Sequence, residues 1–95
     1  MSMPNLHHDL PPVFAHEDCK ALYSFLTASS GQPVSLGAGA TTRLGGLPAQ
    51  MIAAARAIWE RAGIAFDIVD PSDAFLADLN SLGLREQVLP QGDPA

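Results

Sequence analysis

Gly63-Ile64-Ala65-Phe66-Asp67-Ile68-Val69-Asp70-Pro71-Ser72 is a strand handed into a helix. Ile64, Phe66 and Ile68 alternate with Ala65, Asp67 and Val69, and a period of two puts one set on a buried face. Asp70-Pro71 supplies the turn. Ser72 is a good helix N-cap, and Asp73 favours the positive end of the helix that follows. Phe75, Leu76, Leu79 and Leu82 supply the core face of that helix. Gly83 ends it, with Leu84 placed to close the apolar contact of a Schellman cap. A strand leading straight into a helix is half of a βαβ unit, so the fold class turns on whether the alternation extends upstream.

It does. A helix runs from Pro48 to about Ala62, with Arg61 near its negative end and Gly63 as its stop. Its buried stripe is read as Leu47, Met51, Ala55 and Trp59, widened by Ile52 and Ile58, while Ala53, Ala54 and Ala57 keep much of the other side small and smooth. Before it lies a loop of small residues, Ala38 to Gly46, and before that a short strand, Pro33 to Gly37, with Val34 and Leu36 on one face. Glu17 to Ser29 fits a further helix: Cys19, Leu22 and Leu26 recur at helical spacing, Tyr23 and Phe25 widen the stripe, and Gly31 can terminate it. Leu10 to Phe14 is apolar but carries Pro11 and Pro12, which cannot donate to a ladder, so it is an edge strand at best. Met1 to Asp9 reads as a flexible leader, residues 10–89 as one domain, and residues 90–95 as a flexible tail rich in Pro and Gly. The expected fold is α/β, a mostly parallel sheet of about four strands with three helices, joined by right-handed crossovers. Its core is expected to hold Val34, Leu36, Leu47, Met51, Trp59, Phe66, Ile68, Phe75, Leu79 and Leu82.

Composition narrows the function. With 95 residues, 47% of them hydrophobic, the chain can build one core. Ten acidic residues against five basic ones give a formal charge of −5, the wrong sign for nucleic acid or an anionic membrane surface. A protein with a basic face is the easier partner. Cys19 is the single cysteine, so no internal disulfide can form and a reducing compartment is expected. Met1 to Asp9 lacks the apolar core of a signal peptide, and no apolar run approaches the ~20 residues of a membrane span, so the expected location is the cytoplasm.

Three consecutive stretches resemble the STAS domain, the sulphate-transporter and anti-sigma-factor-antagonist family. Pro33-Val34-Ser35-Leu36-Gly37-Ala38 is similar to the family's strand and loop, Val-x-Leu-Asp-Ala/Leu-Ser. Arg43-Leu44-Gly45-Gly46-Leu47-Pro48-Ala49-Gln50 stands in the place of the Ile-Asp-Ser-Ser-Gly-Leu segment that opens the family's central helix. Gly63 to Ser72 resembles Gly-x-x-Leu-x-Ile-Val-Asn-Pro-Ser, and Leu79-Asn80-Ser81-Leu82-Gly83-Leu84 resembles the family's last helix. The resemblance covers about Leu10 to Val88 and implies a STAS-like fold, a mixed, mostly parallel sheet of about four strands with three helices packed mainly on one face.

It implies a non-enzymatic bacterial regulatory binding module without a cofactor, whose partner is an anti-sigma kinase or a chemotaxis component. The alternative it implies is a cytoplasmic accessory subunit of an ABC-type lipid transporter. Partner contact is implied at the loop and the start of the central helix, at Thr41, Thr42, Arg43, Gly45, Gly46, Ala49 and Ala53. Two departures matter. Gly46 stands where the family carries its phosphorylatable Ser or Thr, and Gly45 where it has Asp. A phosphate at a helix N-terminus meets free N–H groups and a positive dipole, but Gly46 has no hydroxyl to accept one. The N-terminal sheet is also shorter than the family's opening hairpin.

Other constellations are weaker. Thr41 and Thr42 could replace the missing acceptor, or simply hydrogen-bond within the loop. His7, His8, Asp9, His16, Glu17 and Cys19 carry metal-ligand chemistry without the fixed spacing of a structural site, so they read as solvated polar residues, with Cys19 in the core. Gly37, Gly39, Gly45 and Gly46 form no Walker or GxGxxG pattern. Asp67, Asp70, Asp73 and Asp78 have no His or Lys at suggestive spacing to make acid–base machinery.

Overall fold

Between Leu6 and Leu89, the span that the computed structural model describes, strands and helices alternate. The elements are β1 (Leu6–Asp9), β2 (Val13–Phe14), a 3-10 turn (His16–Asp18), α1 (Cys19–Ala28), β3 (Val34–Gly37), β4 (Arg43–Leu44), α2 (Gly46–Arg61), β5 (Phe66–Val69), α3 (Asp73–Leu82) and α4 (Arg85–Val88). All described strand pairs are parallel. β3 lies between β1 and β5, and β2 pairs with β4 in a two-stranded continuation. The chain therefore steps across the three-stranded sheet in one direction, crossing over through α1 and then α2.

The ends of the helices follow from local chemistry. Ser72 accepts a hydrogen bond from the Phe75 amide at 3.0 Å, capping α3. Gly83, at φ 71°, closes it: its amide donates to Asn80 O, and Leu84 N–H reaches back to Leu79 O at 3.0 Å. That is the Schellman pattern, and Gly63 repeats it behind α2 with Ile64 N–H on Trp59 O. Pro48 sits in the first turn of α2, where its missing N–H leaves no bond unmade.

One face of the sheet is covered and the other carries polar side chains. Val34 and Leu36 are fully buried, with Phe66 and Ile68 beside them on β5. Phe66 meets Trp59 of α2 edge-on at 5.8 Å. Phe14, Leu22, Leu44, Ile52, Phe75, Leu79 and Val88 complete one continuous core. No helix among the described residues is long and apolar enough to cross a membrane.

The structure corrects several expectations. Leu6–Asp9, read as part of a flexible leader, is an edge strand paired with β3; residues 1–5 and 90–95 lie outside the described span. Pro11 and Pro12 interrupt pairing rather than join it, so the Leu10–Phe14 strand shrinks to Val13–Phe14. Leu6 faces Val34 whereas Val13 faces Arg43, so the β3–β4 connection is two residues longer than the β1–β2 connection, a difference taken up in the loop from Ala38 to Thr42. A short fourth helix, α4, follows α3. In α2 the buried set is Pro48, Ala49, Ile52, Ala55 and Trp59, so the helix is turned relative to the expected stripe. Leu47 is 50% exposed, Ile58 is 58% exposed, and Met51 is half-buried. Ile68 is half-buried, and Leu82 is exposed.

The edge position of β1 has a measurable consequence. His8 points to the helix side, stacked on Phe25 of α1 with ring centroids 5.0 Å apart. Burial pushes its pKa below the ordinary histidine value; Asp9 opposes this, and His7 adds to it. The native state therefore disfavours the protonated ring, so this stability is complete above the ordinary pKa of about 6.5 and is lost as pH falls from there through the lowered native value. The melting temperature of wild type should fall between pH 7 and pH 5 more than that of His8→Phe. Parallel curves for the two proteins would show that His8 does not contribute.

Candidate functional site

The loop between β3 and α2 is held by backbone and hydroxyl bonds. Ala38 N–H donates to Val69 O at 3.0 Å and Ser72 N–H to Ala38 O at 3.2 Å, which fastens the loop's start to the turn after β5. Thr41 is fully buried. Its hydroxyl donates to Pro11 O at 3.1 Å, and its carbonyl accepts a short hydrogen bond from the Ser72 hydroxyl. Thr42 is exposed, with its hydroxyl on Pro12 O at 3.1 Å and its amide on the same oxygen at 2.7 Å. Leu44 N–H donates to the Asp78 carboxylate at 2.8 Å, so Asp78 of α3 ties down β4. Ser72 thus has two tasks, cap of α3 and clasp of the loop.

Of the residues expected to meet a partner, Thr42 and Arg43 are exposed, Gly45 and Gly46 half-buried, and Thr41 buried. Gly45 is the N-cap of α2 and brings no side chain to cap that helix. Ala49 and Ala53 do not share an open face: Ala49 has no exposure and Ala53 is half-buried against the core, leaving Ala57 and Ala54 in solvent. Ala49 is therefore closed to a partner, whereas Ala54 and Ala57 do lie on the open side opposite the core. Small residues on α2 let the helix approach the core closely, and the large apolar side chains displaced from the stripe face outward instead.

Those side chains border a groove. Between α1 and α2 runs a cavity of about 640 Å³ lined by Tyr23, Leu26, Leu47, Met51, Ile58 and Trp59, among others, with no charged side chain among the described residues on its walls. Tyr23 is 63% exposed. The signal was present in the sequence as an excess: Leu47, Met51 and Ile58 could not all share one stripe with Ile52 and Trp59 on a single helix.

The polar sheet face holds a second arrangement that sequence reasoning missed. His7 Nε2 lies 2.7 Å from Asp9 Oδ1, and His7 Nδ1 lies 2.7 Å from Ser35 Oγ on the neighbouring strand. A carboxylate only accepts, so in the neutral ring Nε2 carries the proton and Nδ1 accepts from the serine hydroxyl. A side chain at Gly37 would collide with the Asp9 carboxylate, so glycine is what lets Asp9 and His7 lie flat over β3. Ser35 is mid-strand and nearly covered, with β1 on one side and β5 on the other. The row clasps the edge strand β1 to the sheet centre. Only the i, i+2 spacing of His7 and Asp9 hinted at it.

Among the described residues no group of three His, Cys, Asp or Glu side chains gathers as a metal site. Cys19 is buried, and burial, then the Asp18 carboxylate, push its thiol pKa up, which opposes thiolate formation. Treatment with a serine/threonine kinase of the partner-switching type should leave Thr41 unmodified and confine any phosphate to Thr42. Mass spectrometry finding stoichiometric phosphate on Thr41 would contradict its buried, hydrogen-bonded position.

No family model, no curated protein and no solved structure matches this chain.

Proposed function

We propose that this chain is a non-enzymatic regulatory binding module of the STAS kind, which docks a protein partner beside the β3–α2 loop. One observation carries the reading: Leu47, Ile58 and Tyr23 stand substantially in solvent around a largely apolar groove that begins where the loop ends. A contiguous apolar groove rimmed by exposed large side chains is the kind of surface that marks a protein-binding site. The pinned loop adds a preformed edge, since little conformational entropy remains to be lost on docking. The order of strands and helices and the quoted motifs support a STAS-like assignment, with an anti-sigma kinase or chemotaxis component as partner.

The accessory-subunit reading has one observation in its favour. Gly46 offers no hydroxyl and Thr41 is buried, so only Thr42 remains near the helix start as an acceptor. A transporter subunit needs no phosphorylation cycle. Purified candidates from both classes, taken from genes adjacent to this one, separate the readings by titration calorimetry. The expected result is saturable binding to one class, weakened at least about tenfold by Thr42→Glu, a loss of about 1.4 kcal/mol. If neither class binds, the reading fails.

A further inference from the structure

We propose that the groove between α1 and α2 receives an amphipathic helix with acidic ends, supplied by a different protein. The inference deepens the binding-module reading and rests on it. Both helices cross back over the sheet against the strand direction, so they run side by side in the same sense. From Leu47 to Ile58 the α2 wall extends for about 16 Å, which matches about three turns of a docked helix. An extended segment would lay its own N–H and C=O groups against a wall of mostly apolar atoms. A helix satisfies those groups internally and presents only side chains, at i, i+3, i+4 and i+7.

Charge selects the occupant. Among the described residues no charged one lines the groove, but Lys20 lies one helical turn before Tyr23 on α1, and Arg61 one turn after Ile58 on α2. Both are exposed, and they stand at opposite ends because the helices run in parallel. Glu60 beside Arg61 is engaged by Arg56 at 3.1 Å. Two of the five basic residues of a chain of charge −5 therefore stand at the two ends of one apolar groove. A second copy of this chain would bring the same basic ends, so in a two-fold arrangement Lys20 and Arg61 would meet like charges. A foreign helix with Asp or Glu at both ends meets neither problem.

Trp59 is the only tryptophan and lines the groove, so its fluorescence reports occupancy directly. The probe is a synthetic helical peptide of about 16 residues with Leu at i, i+3, i+7 and i+10 and two Glu at each end. Its controls carry Lys at the ends, or Ser in place of Leu. The Glu-ended peptide should bind saturably and at least about tenfold more tightly than the Lys-ended one at low salt, with the gap closing as salt rises. Ile58→Asp should abolish its binding, and Lys20→Glu with Arg61→Glu should invert the preference. Equal binding of the Glu- and Lys-ended peptides, or no binding of either, overturns the inference. So does sedimentation as a dimer that Ile58→Asp dissolves, which would assign the groove to a second copy. Should Ile58→Asp lose its fold, the charge-reversal pair decides alone. A cognate partner whose binding falls with Thr42→Glu but ignores Ile58→Asp would sink the groove inference and leave the binding-module reading standing.

Discussion

Replacing Trp59 with alanine should lower the free energy of unfolding by about 3–5 kcal/mol. The indole is 6% exposed, packs edge-on against Phe66, and donates from Nε1 to Gln32 O at 2.7 Å. Truncation therefore opens a cavity between α2 and β5 and leaves the Gln32 carbonyl without its donor, two separate costs that act in one direction. Leu47→Ala on the same helix should cost under about 1 kcal/mol, because half of that side chain already lies in solvent. Chemical denaturation of both variants measures the contrast. A loss below about 1 kcal/mol for Trp59→Ala would mean that α2 is turned away from β5.

That contrast shows where sequence and structure part. The strand-to-helix unit at residues 63–83 was legible because every signal in it is local: alternation on β5, the Ser72 hydroxyl, and the left-handed glycine at each helix end. The phase of α2 was not. Apolar residues surround much of that helix, so periodicity alone admits a stripe through Leu47 and Met51 as readily as one through Ile52 and Trp59. What selects between them is tertiary: Ala49 and Ala55 are small enough for close approach to the core. Strand β1 was invisible for the opposite reason. His7, His8 and Asp9 carry no apolar signal, and they are held by parallel pairing with β3 and by the Ser35–His7–Asp9 row, neither of which is local in sequence. The loop was legible as a loop, but the burial of Thr41 depends on Pro11 and Ser72, both about 30 positions distant.

Ala49→Glu should destabilise the protein by roughly 4 kcal/mol or more, a large share of the 5–15 kcal/mol that holds a small domain folded. Ala49 has no solvent exposure and sits inside the core cluster one turn into α2. A carboxylate there either remains charged without a partner or takes up a proton at neutral pH, and both routes weaken the native state relative to the unfolded one. Leu47→Glu, two positions earlier, places the same group in solvent within the first turn of α2. There the helix dipole favours a negative charge by about 0.3–1 kcal/mol, which offsets part of the lost apolar contact. The pair should therefore separate two ways of losing a partner. Ala49→Glu loses binding because the domain unfolds, seen as a collapsed melting temperature and lost near-ultraviolet dichroism. Leu47→Glu keeps both signals yet loses binding, because its charge stands at the mouth of the largely apolar groove. An Ala49→Glu protein that melts like wild type would show that this face of α2 is open after all, and the partner surface would then return to the alanine side of the helix.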